Sequence, residues 1–160
     1  MPDGANSYVL SISIQSMPSD LSNKAKKLME EQRDHCAQAI FATYAEHLDS
    51  GKVDFETSMK ISSAFSGGVA RTGNICGAVT GALMVLGLKY GGSPMEAKVN
   101  EAAVKLMDEF NAMNRTTICR ELIDHDLRSD ADVKRAFEVG AFKNCPKYVE
   151  DVSEILDKML

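Results

Sequence analysis

Ile75-Cys76-Gly77-Ala78-Val79-Thr80-Gly81-Ala82-Leu83-Met84-Val85-Leu86-Gly87-Leu88-Lys89-Tyr90 is the stretch on which the fold turns. It reads as a helix closed by Gly91-Gly92, and its small residues at four-residue spacing let a second helix approach closely. Immediately before it stands Ser66-Gly67-Gly68-Val69-Ala70-Arg71-Thr72-Gly73-Asn74. Three glycines and an Asn in these nine residues predict a loop with unusual backbone angles or close backbone approach. Upstream, Ala25, Leu28, Met29, Cys36, Ala37, Ile40, Phe41, Tyr44 and Leu48 recur at three and four residues, the period of one helix face, and predict one long helix ending at Asp49-Ser50-Gly51. A second helix starts at Asp54, whose carboxylate caps free N–H groups, and runs to Phe65.

Downstream, Ser93 as cap and Pro94 at the first position open a helix carrying Ala97, Ala102, Val104, Leu106, Met107, Phe110 and Met113. Shorter helices follow over 118–127 and 130–139, and the last opens at Asn144-Cys145-Pro146 with Val149, Val152, Leu156 and Met159 down one side. The fold class is therefore all-α, a single-domain helical bundle with a Gly-rich loop before its central helix. Residues 1–18 read as an N-terminal arm and 19–160 as the helical four-cysteine domain. Within the arm, 8–14 alternates apolar residues with Ser; such a segment lacks a strand partner in a helical chain unless a second copy supplies one, which leaves room for a homo-oligomer.

The chain has 160 residues, 44% hydrophobic and 26% charged, enough to bury a core without disulfide staples and too apolar for a disordered chain. Its net charge of −5 argues against a protein built to neutralise nucleic-acid phosphates. No basic run precedes an apolar stretch at the start, and 8–14 is too short to cross a bilayer, so the expected location is cytoplasmic, with no direct membrane insertion. In a reducing compartment four cysteines are buried, metal-bound or redox-active thiols more often than disulfides.

Cys36, Cys76, Cys119 and Cys145 are separated by 40, 43 and 26 residues, unlike the paired spacing of zinc ribbons or ferredoxins. Three stand at expected helix starts: Cys76 after the Gly-rich loop, Cys119 near the start of its helix and Cys145 before Pro146. Free N–H groups there should lower a thiol's pKa. Cys36 lies inside the expected long helix and should be the least reactive. Spacing alone leaves small buried hydrophobes as an equal reading of all four.

Taken together these residues resemble the C-GCAxxG-C-C family, described as redox-active. Cys36 stands for its first isolated cysteine, Cys76-Gly77-Ala78-Val79-Thr80-Gly81 for the central element, and Cys119 and Cys145 for the last two. Residues 65–68 and 81–91 also look like the family's flanks, while Ile75 departs from the Gly expected before the central Cys. The family is similar to the non-heme domain of split-Soret cytochrome c. The resemblance implies electron transfer or redox sensing through Cys36, Cys76, Cys119 and Cys145 as ligands of an iron–sulfur cluster, favoured over zinc, with a redox partner the sequence does not identify. No Cys-x-x-Cys-His segment is present, so heme is not expected. Two alternatives stay open: a cluster-free thiol–disulfide protein, and a helical interaction module with inert buried cysteines.

Other constellations point elsewhere. On a continuous helix His35 would point about 100° away from Cys36, and His47 and His125 read as surface or packing residues. Gly68 and Gly73 have the separation of P-loop glycines, but Asn74-Ile75 stands where Lys-Ser or Lys-Thr would contact phosphate. Arg71, Arg120 and Lys147 lie near cysteines and are candidates to offset thiolate charge. The nine Met residues read as core filler.

Overall fold

Eight α-helices make up the computed structural model, which describes residues 20–31, 35–48, 53–92 and 97–160. They are α1 Asp20–Glu31, α2 Cys36–Leu48, α3 Phe55–Ser62, α4 Gly77–Tyr90, α5 Ala97–Asn114, α6 Cys119–Ile123, α7 Asp130–Glu138 and α8 Cys145–Met159, with 3-10 turns at Ser63–Phe65 and Ala141–Asn144. The chain is all-α; among the described residues the sole β pairing is an isolated antiparallel bridge between Ile75 and Ile118. The expected arm over 1–18 and the caps read at 49–51 and at Ser93-Pro94 lie outside the described residues.

The centre of the bundle is α2. Residues 37–45 are all buried, so over that stretch the helix has no solvent face, and the single apolar stripe read from the sequence understates it. α4 lies closest. A Cβ on Gly81 would stand 2.7 Å from Ala37 O and 3.1 Å from Ile40 Cβ, so the glycine is what lets the two backbones approach. α8 closes the core with Val149, Val152, Ile155 and Leu156, all 1% exposed or less. Its polar ties are specific: Tyr44 Oη donates to Asp157 Oδ1 (2.9 Å), Lys26 Nζ to Glu150 (2.8 Å) and Tyr90 Oη to Met159 O (2.6 Å).

One long helix through residue 48 is not what forms. α1 ends at Glu31, and α2 begins at Cys36, with the His35 carbonyl accepting from Ala39 N–H at 2.8 Å to start the new helix. Apolar spacing stays in register across the break, which is why it is invisible to periodicity. α3 starts as read, Asp54 Oδ1 accepting from Thr57 N–H at 2.7 Å. α6 is shorter than expected because Asp124, at φ 54°, takes the left-handed conformation and stops it after Ile123. α7 is opened by a reciprocal cap: Ser129 Oγ accepts from Asp132 N–H (3.1 Å) and Asp132 Oδ2 from Ser129 N–H (2.9 Å).

A satellite core sits beside the main one, built from Cys119, Ile123, Leu127 and Ala136 with Val133, Ala141 and Phe142 around them. Cys145 packs against both cores, whereas Cys76 belongs to the main core.

Candidate functional site

The chain between α3 and α4 does something that three glycines alone do not require. Gly67, Gly68, Val69, Ala70 and Arg71 are five consecutive residues with positive φ, between 51° and 72°, forming a left-handed turn. Each L residue there costs about 1–2 kcal/mol, and Val69 is β-branched as well. The turn is held by Ala70 N–H donating to Ala64 O (2.7 Å), Gly73 N–H to Gly67 O (3.1 Å) and Asn74 N–H to Gly68 O (2.9 Å). Thr72 Oγ1 adds donation toward Gly68 O and Val69 O, at 2.7 and 2.8 Å.

Beyond the turn, the segments carrying Cys76 and Cys119 are zipped together. Cys76 N–H donates to Thr117 O (2.7 Å), Cys119 N–H to Asn74 O (2.7 Å) and Arg120 N–H to Gly73 O (3.1 Å). Space here is minimal, since a Cβ on Gly68 would come within 2.7 Å of Cys119 Cβ. The glycines thus bring two sequence-distant cysteines onto one backbone platform.

All four cysteines line one cavity of about 260 Å³, together with His35, Ser66, Gly67, Arg71 and Tyr148. They come from four helices: Cys76 caps α4, and Cys36, Cys119 and Cys145 are the first residues of α2, α6 and α8. The lining also has an apolar part, with Leu127, Val133 and Phe142 from the satellite core and the more exposed Phe137 at its edge against Phe142. All four are free thiols. Among the described residues no three His, Cys, Asp or Glu side chains are gathered tightly enough to hold a single metal ion.

The expectation of depressed pKa values at helix starts is overturned. Burial pushes the Cys119 thiol up to about 12 and Cys145 higher still, and it raises Cys76 well above and Cys36 above the ordinary thiol range. Neighbouring thiolates add repulsion at Cys76, Cys119 and Cys145. At Cys119 and Cys145 the N–H groups that should have helped are already engaged. Those of Cys119 and Arg120 go to Asn74 and Gly73, and the 3-10 turn Ala141–Asn144 runs directly into α8, so Cys145 N–H bonds Phe142 O and Pro146 has none to offer.

Two sulfurs keep donors: Ala78 N–H faces that of Cys76, and Cys36, contrary to its reading as a helix-interior residue, has the larger set. Gly67 N–H, the Ser66 hydroxyl and Ala37 N–H all face its sulfur and oppose the effect of burial. The same sulfur is blocked on the far side by α4, where a Cβ on Gly77 would collide with Cys36 Sγ.

His35 lines the cavity as well, because it precedes α2 rather than lying within it, so the helical angle that argued against it does not apply. Of the three basic candidates only Arg71 lines the cavity. Arg120 packs its stem where a Cβ on Gly73 would be, and Lys147 pairs with Asp151 and donates to Asn114 Oδ1 at 3.2 Å. Ser66 and Tyr148 were not singled out by sequence. The former stood in plain view as the residue entering the glycine run; the latter carries no local signal, and its hydroxyl donates to Leu122 O at 3.1 Å to hold α6 to α8.

No curated protein and no solved structure matches the chain. Residues 34–159 match the family described as "Putative redox-active protein (C_GCAxxG_C_C)", a span that begins just before Cys36 and includes all four cysteines. By that match, over most of its length, the chain belongs to the C_GCAxxG_C_C family.

Proposed function

We propose that Cys36, Cys76, Cys119 and Cys145 hold an iron–sulfur cluster used for electron transfer or redox sensing. The observation that carries this reading is the convergence of four cysteines, from four helices, on a single cavity of about 260 Å³. Several features fit such a group. The donor set is four thiols, the complement that binds both common cluster types. Zinc would need every sulfur about 2.3 Å from one centre, whereas these cysteines border a cavity with room for several atoms. Ser66 Oγ is buried with no hydrogen-bond partner, an orphan donor on the lining of the same cavity.

Bound there, a cluster would supply one-electron exchange. The chain's residues do the rest. Leu127, Val133 and Phe142 limit water along part of the lining, and Arg71 puts a positive charge on it to oppose the charge of four thiolates. No helix among the described residues is long and apolar enough to cross a membrane. The free thiols agree with action in a reducing compartment such as the cytoplasm.

Anaerobic reconstitution with ferrous iron and sulfide, followed by iron and acid-labile sulfide analysis, tests the reading. Stoichiometric iron and sulfide, lost in each single Cys→Ser variant, is the expected result. Reversible loss of two thiols with no iron bound would replace it with thiol–disulfide chemistry, and four inaccessible thiols with a purely structural role.

A further inference from the structure

The four sulfurs are not equivalent, and the difference lies in the residues just before the left-handed turn. Ser66 is in extended backbone, φ −74° and ψ 156°, at the end of the 3-10 turn Ser63–Phe65. Its carbonyl accepts from Arg71 N–H at 3.4 Å, and that of Gly67 accepts from Gly73 N–H at 3.1 Å. Both peptide units are thereby tied to the turn. Ser66 Oγ is buried and has no hydrogen-bond partner, and both Ser66 and Gly67 line the cavity that contains the cysteines.

A buried hydroxyl without a partner costs about 1–3 kcal/mol, so it is retained where something else accepts its proton. The acceptor on offer is the Cys36 sulfur: it lines the same cavity, the Cβ position of Gly77 touches both it and the carbonyl of Phe65 just before Ser66, and the Ser66 hydroxyl and Gly67 N–H lie toward it. That sulfur cannot back away, since α4 blocks it at Gly77. Cys76 has one donor, Ala78 N–H, and no hydroxyl, while Cys119 and Cys145 have none, their own N–H groups being spent on backbone carbonyls.

We infer that Ser66 is a positioning and potential-setting residue: its hydroxyl, with Gly67 N–H, donates to the Cys36 sulfur and selectively stabilises the more reduced, more negative state of the four-cysteine centre. The inference rests on the cluster reading above. Donation to a cluster-bound sulfur offsets the charge that arrives with an electron, so removing it makes reduction harder. The strained turn then has a purpose, since it fixes the backbone from which both donors project.

The test is the midpoint potential of iron- and sulfide-reconstituted protein, read by visible absorption in an anaerobic titration, for the wild type, Ser66→Ala and Ser66→Thr. Ser66→Ala is expected to load the same iron and sulfide but to shift the reduction equilibrium about tenfold toward the oxidised form. That corresponds to a potential about 59 mV lower for a one-electron couple. Ser66→Thr, which keeps the hydroxyl, should restore it. A residue that merely packs would alter loading or stability and leave the potential where it was. An unchanged potential in fully loaded Ser66→Ala overturns the inference while leaving the cluster in place. If the wild type binds no cluster, the cluster reading itself fails, and the Ser66 contact is decided on reduced, metal-free protein by infrared spectroscopy. There, the S–H band that disappears in Cys36→Ser should shift in Ser66→Ala and return in Ser66→Thr; a band indifferent to Ser66 overturns the contact.

Discussion

Gly81→Ala is a one-methyl change in the middle of a helix, and on propensity alone it should stabilise by up to about 1 kcal/mol. The geometry reverses the sign. The new Cβ would stand 2.7 Å from Ala37 O and 3.2 Å from Ala37 Cα, the first about 0.7 Å short of ordinary contact. Both atoms are backbone of the buried 37–45 stretch of α2, so relief requires moving a helix rather than turning a side chain. Overpacking of this kind costs about 1–3 kcal/mol, which leaves a net loss of roughly 0.5–2 kcal/mol. Gly87→Ala is the internal control: it lies on the same helix, with nothing within 4 Å of its Cβ position, and should realise the propensity gain. Urea unfolding of reduced, metal-free protein should move the two midpoints in opposite directions at constant m-value. Because Ala37 follows Cys36, Gly81→Ala should also lower iron loading while Gly87→Ala does not. If the two alanine variants are equally stable, close approach of α2 and α4 is not what Gly81 provides.

In reduced, metal-free protein the Cys119 thiol ionises near 12 when folded against 9.0 for an unperturbed thiol, so the unfolded chain loses its proton first. Stability conferred by this group is complete below about pH 9 and falls as pH rises toward 12, by up to about 4 kcal/mol; Cys119→Ser should flatten the decline in urea midpoints measured between pH 8 and 10. Val69→Gly removes a β-branched residue at φ 61° and should stabilise by roughly 0.5–1 kcal/mol after the entropy cost of Gly, whereas Val69→Ala keeps most of the strain; thermal melts of both compare them directly. Ser129→Ala breaks the reciprocal cap of α7 and should cost about 1 kcal/mol, seen as faster amide exchange in 130–138 ahead of the main core.

What the sequence displayed and what it concealed divide along physical lines. The helix at 77–90 and the cap at Asp54 were legible because turn chemistry and helix capping are local. The break before Cys36 was not: residues on both sides keep the same apolar phase, so a new helix start leaves no trace in the period. That error carried others with it, placing Cys36 inside a helix and turning His35 away from the cavity. The gathering of the cysteines was legible only through family resemblance, since spacings of 40, 43 and 26 carry no geometric information by themselves. The pKa expectation failed because a helix start was equated with free N–H groups, which the 73–76 and 117–120 segments exchange with one another's carbonyls.

Cys76 belongs to the main core and Cys119 to the satellite, and Cys145 touches both, so the cavity is a seam between two separately packed bodies. Whatever bonds all four sulfurs would act on the chain as a four-point rivet across that seam. Cys36 and Cys145 are 109 positions apart, and in the chain-entropy account a single cross-link closing a loop of about that length restrains the unfolded chain by roughly 4–5 kcal/mol. Occupancy would then be recorded mechanically as well as electronically. The rivet would add to ties that are already there, the backbone pairing of 73–76 with 117–120 and the Tyr148–Leu122 bond. Loss of the bound group would leave those hydrogen bonds alone to hold the seam, so amide exchange in the satellite should quicken relative to the bundle when the site is empty.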